Sequence, residues 1–417
     1  MTAEDRRTAG FKDVTRLDAA RERLLDAVEA HGRTEAVGLL DADGRAVAEP
    51  ITASRPVPHY ARAAMDGYAV RAEDTFGASA RSPVVLQPAD DAGPNRAVRV
   101  HTGSELPDGA DAVVKIEAVE TVGSELEVFD AVAEGENVGA VGEDVEAGTP
   151  LYEPPHALRP SDLGLLKSVG RESITVHERP RVAVLPTGEE LVQADPAPGE
   201  VIETNGQTVA QLVERWGGAA SYRDVVTDDA DALRAAIESD LDHDAVVTTG
   251  GSSVGERDLV PEVVADLGEV LVHGVALKPG HPVALGTVQG TPVLMLPGYP
   301  VACIVNAVQF LRPTVKALGG LPDRSPPSRR ARLERKIASE PGIRTFARVR
   351  LERTDDPGPD DSSPAADPPF VATPTRASGA GVLSSVALAD GWVVVPEAVE
   401  GLDPGAAVDV QLWEWSA

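Results

Sequence analysis

Cysteine, aromatic residues, lysine and long apolar runs are all scarce in this sequence of 417 residues. The single cysteine, Cys303, excludes an internal disulfide framework, fits a reducing compartment such as the cytosol, and lies in an apolar helical run where a buried packing role is expected. No segment reaches the about 18 uninterrupted apolar residues that a membrane helix needs. The charged residues 1–7 lead into no apolar core, so no secretory signal is expected. These absences predict a cytoplasmic protein without a membrane partner. The length of 417 residues predicts roughly two to four domains.

Acidic residues dominate the charge of the chain. They number 67 against 38 basic residues, which gives a formal net charge of −29, and only six residues are lysines. Acid spread along the whole chain is typical of adaptation to high salt, where counterions screen the self-repulsion. An acidic partner-binding surface is the alternative, but it would form one block of sequence. The charge disfavours nucleic acid as a partner, and a site for an anionic substrate must rely on backbone N–H groups, a few cations and bound metal.

The hydrophobic pattern changes along the chain. Residues 13–31 and 36–47 have helical apolar spacing, and Asp66-Gly67 resembles a hairpin turn between apolar residues. Short strand-like runs between residues 84 and 132 indicate a small β domain, residues 180–320 alternate strands with helices, and residues 330–417 read as β structure. The alternation predicts a mostly parallel sheet covered by helices.

The stretch from Asp244 to Asp258 combines a buried strand with an anion-binding loop. The apolar run Ala245–Thr249 is followed by five small loop residues and then by a helical pattern from Leu259; the loop residues are Gly250, Gly251, Ser252, Ser253 and Gly255. Glycines let the backbone approach an anion, and the N–H groups of the loop and helix start point at it. Asp258 would repel a phosphate, so it either caps the helix or holds a divalent cation.

Two further strands run into loops of the same kind, at residues 186–190 and 297–300. In an open α/β sheet such loops gather at the carboxyl ends of the strands, where ligands bind. The convergence of three loops indicates a binding site more strongly than any one loop does.

Eight short motifs, in order and spread over essentially the whole chain, resemble those of the molybdopterin molybdenumtransferase family (the MoeA type and the gephyrin E domain). They include Met65-Asp66-Gly67-Tyr68, Thr102-Gly103, Gly142-Glu143-Asp144, Pro186-Thr187-Gly188-Glu189-Glu190, Thr204-Asn205, Thr249-Gly250-Gly251-Ser252-Ser253, Lys278-Pro279-Gly280 and Pro297-Gly298-Tyr299-Pro300. The resemblance implies a multidomain α/β plus β fold. Its parts are a helical and linker dimerisation domain (11–50 and 140–178), a β-rich domain (51–139), a molybdopterin-binding-like α/β domain (179–322) and a C-terminal β-barrel (323–417).

The resemblance also implies a reaction. Molybdate is inserted into adenylylated molybdopterin with Mg²⁺-dependent release of AMP, in a site shared between the two subunits of a homodimer. A transient contact with the molybdopterin adenylyltransferase is expected from the same likeness. The catalytic residues carried over from the family are Asp66, Asp144, Glu190, Asp228, Asp258 and Thr102.

Glu190, Asp228 and Asp258 are the expected Mg²⁺ ligands, because hard oxygen donors suit that ion. Asp229 competes with Asp228, and for a lone Asp in that segment capping of the following helix is the ordinary interpretation. The expected substrate-binding residues are Gly250, Gly251, Ser252, Ser253, Gly255, Lys278, Pro297, Gly298, Pro300 and Ser384, with Ser385 as an alternative to Ser384.

The sequence departs from the family pattern at three positions. Tyr299 stands where the family has Asn, Ala302 where it has Ser, and His281 where it has a second lysine, which makes one anion contact pH-dependent. A branch that handles tungstate, or a paralogue with altered ligand preference, would fit these changes. There are two competing hypotheses. One is a non-catalytic molybdopterin-binding scaffold, but the presence of the expected catalytic aspartates and Glu190 argues against it. The other is a standalone adenylyltransferase, which would need only residues 180–320.

Overall fold

The computed structural model describes residues 14–250, 259–353, 369–375 and 379–414. Gly251, Ser252, Ser253, Gly255 and Asp258 lie outside these residues. The described chain folds into a region built from two separate segments, a β domain inserted between them, an α/β domain and a C-terminal barrel.

The first segment starts with helix α1 (Leu17–Asp26) and continues into three strands, β1 (Thr34–Gly38), β2 (Ile51–Thr52) and β3 (Arg62–Ala63). The prediction of a helix over residues 36–47 is wrong, because β1 pairs antiparallel with Ser173–His177 and the chain then makes a short 3₁₀ turn at Leu39–Asp41. A partner more than a hundred residues away decides this conformation, and no local periodicity reports it.

The inserted β domain contains one six-stranded sheet. Its strands are β4 (Gly67–Val70), β5 (Val84–Pro88), β6 (Arg96–Val100), β7 (Ala112–Lys115), β8 (Val119–Val122) and β9 (Glu125–Val128), in the order β7-β4-β6-β5-β9-β8. The expected hairpin turn at Asp66-Gly67 is wrong, because Gly67 opens β4 between β6 and β7. A Cβ at Gly67 would lie 1.9 Å from the Val114 carbonyl oxygen, so this glycine serves close strand packing.

The second segment returns to the first region with β10 (Val138–Gly139), β11 (Pro150–Tyr152), helix α2 (Pro160–Ser168) and β12 (Ser173–His177). These three strands pair antiparallel with β3, β2 and β1 respectively. The pairing therefore closes the region across the inserted β domain.

The α/β domain confirms the predicted alternation of strands and helices. Its elements in order are β13 (Arg181–Pro186), β14 (Leu191–Val192), β15 (Val201–Ile202), α3 (Asn205–Arg215), β16 (Ala219–Tyr222), α4 (Ala230–Ser239), β17 (Ala245–Thr249), α5 (Leu259–Leu267), β18 (Glu269–His273), β19 (Leu277–Lys278), β20 (Ala284–Val288), β21 (Thr291–Leu296) and α6 (Pro300–Leu318). The main sheet has the order β16-β13-β17-β21-β20-β18. Its first four strands are parallel to one another, and β20 pairs antiparallel with both β21 and β18.

Helix α6 is the central helix of this domain. It contains a π-helical turn at Ala307–Leu311, and its residues are almost all buried. Its length and hydropathy would suffice to cross a membrane, but 94% of its apolar window is buried inside the protein. The helix is therefore a core element that packs beneath the sheet.

The C-terminal domain is a closed five-stranded barrel. Its elements are β22 (Ser328–Leu333), β23 (Ile337–Ala338), β24 (Arg344–Arg353), β25 (Phe370–Pro374), α7 (Ser384–Ala387), β26 (Gly391–Val395), β27 (Gly401–Leu402) and β28 (Ala407–Gln411). The order β24-β25-β22-β28-β26 closes because β24 also pairs with β26. Strand β19 of the α/β domain adds to β24, which joins the barrel to the preceding domain.

Candidate functional site

The carboxyl ends of three parallel strands meet at one edge of the α/β sheet. The Thr187 N–H donates to the Thr249 carbonyl oxygen at 3.3 Å, and the Gly250 N–H donates to the Leu296 carbonyl oxygen at 3.1 Å. A Cβ on Gly250 would lie 2.1 Å from the Thr187 carbonyl oxygen, and one on Gly298 would lie 3.5 Å from the Gly250 Cα. The backbones of Thr187 and Gly250 approach this closely only because position 250 is a glycine, whereas the Gly298 contact is an ordinary van der Waals distance. We call Thr187, Thr249, Gly250 and Gly298 the strand-end cluster.

Two hydroxyl groups in this cluster have no internal partner. Thr187 and Thr249 are each 1% exposed, and their Oγ1 atoms accept or donate no hydrogen bond within the described parts of the chain. A buried hydroxyl without a partner costs free energy, and a ligand or ordered water commonly supplies the missing bond. The two hydroxyls therefore mark a polar binding position, and neither was recognised as a site residue from the sequence.

Two of the expected metal ligands lie together beside this cluster. The segment after β16 runs along the loop after β13, where the Gly188 N–H donates to the Val226 carbonyl oxygen at 3.2 Å. Burial, followed by the negative charge of Glu190, raises the pKa of Asp228. A carboxyl group disfavoured in its charged form by a neighbouring carboxylate is stabilised when a divalent cation binds between them.

The neighbouring Asp229 does a different task. Its Oδ1 accepts hydrogen bonds from the N–H groups of Asp231 and Ala232 at 3.1 and 2.9 Å, so it caps helix α4. The tertiary contacts thus separate two adjacent aspartates, because Asp228 faces Glu190 whereas Asp229 satisfies the helix start.

Lys278 is the last residue of β19 and leads into the loop that contains Gly280; its Nζ lies 2.8 Å from Glu340 Oε1. This ion pair lowers the pKa of Glu340, and burial followed by the charge of Lys278 lowers the pKa of His281. Asn306 on α6 fixes the same loop, since its Nδ2 donates to the carbonyl oxygens of Gly280 and Ala302 at 2.9 Å.

Asn306 was not selected from the sequence. It is fully buried and its Oδ1 has no partner within the described residues. A polar residue inside an otherwise apolar helical run was the available signal, because such a group is buried only where it makes hydrogen bonds.

The loop at residues 297–300 is held from two sides. Asn205 Nδ2, at the start of α3, donates to the Gly298 carbonyl oxygen at 2.6 Å, and the Val301 N–H donates to the Ala380 carbonyl oxygen at 3.0 Å. The barrel segment that precedes α7 therefore packs against this loop.

The two candidate serines of that segment differ in exposure. Ser385 is buried and donates to the Val382 carbonyl oxygen at 2.7 Å, whereas Ser384 is exposed. Both serines line a cavity of about 390 Å³ together with Arg335 and Arg350. Of the two serines, Ser384 is thus the one with a hydroxyl open to a ligand.

A second group of predicted residues lies in the β domain. Asp66 Oδ1 accepts from the backbone N–H and the Oγ1 of Thr102 at 2.7 and 2.8 Å, and these bonds lower the pKa of Asp66. His101 Nδ1 lies 3.8 Å from Asp66 Oδ2 and was not selected as a site residue from the sequence. Asp144 is exposed, and its backbone N–H donates to the Val57 carbonyl oxygen.

No hydrogen bond or ion pair in the described part of the chain joins this second group to the strand-end cluster or to Glu190, Asp228 and Lys278. The predicted site residues in the described part of the chain therefore form two groups, one on the β domain and one on the α/β domain with its barrel.

Comparisons with known proteins agree on the family along the chain. Residues 15–170 match the MoeA N-terminal region (domain I and II), residues 183–317 match a probable molybdopterin binding domain, and residues 330–413 match the MoeA C-terminal region (domain IV).

Two curated relatives cover most of the sequence. A putative molybdopterin biosynthesis protein of Methanocaldococcus jannaschii is 35% identical over 94% of this chain and 95% of its own length. The molybdopterin molybdenumtransferase of Bacillus subtilis is 30% identical over 93% of this chain and 94% of its own length.

A solved structure agrees with these relatives. The MoeA molybdopterin biosynthesis protein of Pyrococcus horikosii shares 35% identity, covers 96% of this chain and 99% of its own, and superposes with a TM-score of 0.80. Sequence and fold thus point to the same proteins.

Proposed function

This chain belongs to the MoeA family of molybdopterin molybdenumtransferases, and from that premise we propose that it inserts molybdate into adenylylated molybdopterin with Mg²⁺-dependent release of AMP. The observation that carries the proposal is the carboxylate pair Asp228 and Glu190 beside the strand-end cluster. The carboxylates of Asp228 and Glu190, the buried hydroxyls of Thr187 and Thr249, and Gly250 at one sheet edge suit a substrate that carries a phosphate ester.

The donor set fits Mg²⁺. Asp228 and Glu190 offer carboxylate oxygens from two different loops, and Asp258 is proposed as a third ligand. A bound Mg²⁺ supplies positive charge that neutralises phosphate oxygens as the phosphoanhydride is cleaved. Burial and then the negative charge of Glu190 raise the pKa of Asp228, and a cation bound between the two carboxylates would reduce their repulsion.

The remaining residues bind and orient the substrate. The hydroxyls of Thr187 and Thr249, which make no hydrogen bond within the described residues, are proposed to bond it, while the N–H groups of Gly251, Ser252, Ser253 and Gly255 are proposed to hold its phosphate. Lys278 and Ser384 are proposed to contact the oxyanion or phosphate from the barrel side, with the rigid backbone of Pro297, Gly298 and Pro300 as one wall.

The β-domain residues are proposed to complete the site of a second copy in a homodimer. Asp66 and Thr102 are exposed and bonded to each other, and Asp144 is exposed on a neighbouring segment. The apolar side chains of Met65 and Ile116 beside Asp66 are also exposed, at 42% and 38%, and the Ile116 N–H donates to the Asp66 carbonyl oxygen. Apolar surface beside an incomplete polar site favours a protein partner at that face.

The proposal includes a cytoplasmic location and a transient contact with the molybdopterin adenylyltransferase, which would supply the substrate. Tungstate is a second candidate oxyanion, because Tyr299, Ala302 and His281 depart from the family pattern around the loops that hold the substrate. The tungstate hypothesis predicts the same AMP release when tungstate replaces molybdate.

The test is AMP release by the purified protein in molar KCl with Mg²⁺, adenylylated molybdopterin and either oxyanion. Asp228→Asn should abolish Mg²⁺-dependent release, because it removes one metal ligand. Asp229→Asn is the matched control, since it removes the same charge one residue away and asparagine still caps a helix.

Absence of AMP release with both oxyanions, in wild-type protein shown to be folded, would refute the proposed function. Equal activity of the Asp228 and Asp229 variants would show that Asp228 is no metal ligand. Faster release with tungstate than with molybdate would identify tungstate as the preferred oxyanion.

A further inference from the structure

Tyr299 is an exposed aromatic side chain at the rim of the strand-end cluster. It follows Gly298, whose Cβ position lies 3.5 Å from the Gly250 Cα, and it precedes Pro300, where helix α6 begins. The exposed fraction of this side chain is 64%, and aromatic residues are rare in this protein, at 4% of the chain. A large ring left in solvent beside a binding site suggests a ligand that covers it.

The backbone that carries this ring is fixed on both sides. Asn205 Nδ2 holds the Gly298 carbonyl oxygen at 2.6 Å, and the Tyr299 carbonyl oxygen accepts from the Cys303 N–H at 2.9 Å. Pro300 has a restricted φ and starts the helix. The ring therefore stands on a preorganised loop.

The position of the ring is also limited by the barrel domain. A Cβ at Gly381 would lie 3.4 Å from Tyr299 Cδ1 and 3.6 Å from Cε1, so the ring edge lies against this glycine. The Ala380 carbonyl oxygen accepts from the Val301 N–H and holds the same segment in place. The contact leaves most of the ring open to solvent, and the barrel segment supports it from one side.

Phe76 gives a comparison within the same chain. It is 66% exposed, but it lies in the β domain after a 3₁₀ turn, away from the strand ends. Exposure alone therefore does not identify a binding residue. What sets Tyr299 apart is its fixed backbone directly after Gly298, whose Cβ position lies against Gly250 of the strand-end cluster.

We propose that the Tyr299 ring stacks against a planar heteroaromatic ring of the substrate and so contributes to substrate selection. This inference rests on the proposed function, because the substrate named there carries two such rings, a pterin and an adenine. An aromatic face stacks on either ring without a specific hydrogen bond.

The inference is tested on the full-length protein with two simple probes. Hydroxymethylpterin binding is followed by quenching of the pterin fluorescence, and AMP binding is followed by titration calorimetry. Tyr299→Leu should raise the Kd of the stacked probe about 5- to 150-fold, the range measured for loss of one base-stacking contact. Tyr299→Phe should stay within about twofold of wild type, since it keeps the aromatic face.

Phe76→Leu is the matched control, because it removes an equally exposed ring elsewhere, and its Kd values should equal those of wild type. In the AMP-release assay, Tyr299→Leu should raise KM and leave kcat nearly unchanged, because stacking holds the substrate and takes no part in bond cleavage.

Each outcome decides between defined possibilities. An effect on hydroxymethylpterin alone identifies the pterin as the stacked ring, and an effect on AMP alone identifies the adenine. The inference is overturned if Tyr299→Leu leaves both Kd values unchanged, if wild type binds neither probe, or if Tyr299→Phe binds as weakly as Tyr299→Leu, which would show a hydroxyl hydrogen bond in place of stacking. Absence of AMP release by the wild-type protein would instead contradict the proposed function. The binding measurements do not depend on AMP release.

Discussion

Replacing Gly250 by alanine tests whether the three strand ends meet as closely as the structure has them. The added Cβ would lie 2.1 Å from the Thr187 carbonyl oxygen and 2.9 Å from its Oγ1, and Gly250 has a φ of +133°. The unfavourable φ costs about 1–2 kcal/mol. Forcing apart two hydrogen-bonded backbones costs about 1–3 kcal/mol more. We therefore expect Gly250→Ala to lower the free energy of unfolding by about 2–5 kcal/mol in total.

Gly290→Ala is the control for this experiment. Gly290 has a φ of +87°, but a Cβ there meets nothing within 4 Å, so this variant carries the backbone cost without the clash. It should lose only about 1–2 kcal/mol. Urea unfolding of the three proteins at one KCl concentration measures the difference, provided that their m-values agree. Equal destabilisation by the two variants would refute the close approach of Gly250 to Thr187.

Two further predictions concern charge. Lys316→Met should raise the free energy of unfolding near pH 7 by about 1–3 kcal/mol, because burial lowers the pKa of Lys316 to about 8. Since this pKa lies below the ordinary value of 10.5, the cost of the buried charge is fully present below about pH 8 and fades as pH rises to 10.5. Urea unfolding at the two ends of this pH range should therefore show that the stabilities of the variant and of wild type converge at high pH. A stability difference that is independent of pH would contradict this reasoning. The net charge of −29 predicts that the urea midpoint of unfolding rises between about 0.1 and 1 M KCl, because the screening length falls from about 10 to 3 Å. A midpoint that is independent of salt would exclude halophilic adaptation.

The sequence by itself determined the elements whose conformation depends on local pattern. The strand Ala245–Thr249 has the bounds that its apolar run predicts, and the following helix begins at Leu259, where the helical pattern places it. The order of eight short motifs likewise identified the family, because a motif order is written in the sequence.

The tertiary structure alone decided the features that depend on distant partners. Residues 36–47 have a helical apolar pattern, yet pairing with Ser173–His177 makes their first part a strand. Gly67 opens a central strand, and a glycine is needed there because the neighbouring Val114 backbone leaves no room for a side chain.

The same reason separates the site residues. Asp228 and Asp229 are equivalent in sequence, and only the position of Glu190 and the start of α4 distinguish them. The Thr187 and Thr249 hydroxyls, which have no hydrogen-bond partner among the residues that the structure describes, are equally invisible in the sequence, because a missing hydrogen bond is a property of the packed sheet. Local periodicity fixes which elements form, whereas contacts across the chain fix which side chains face a ligand.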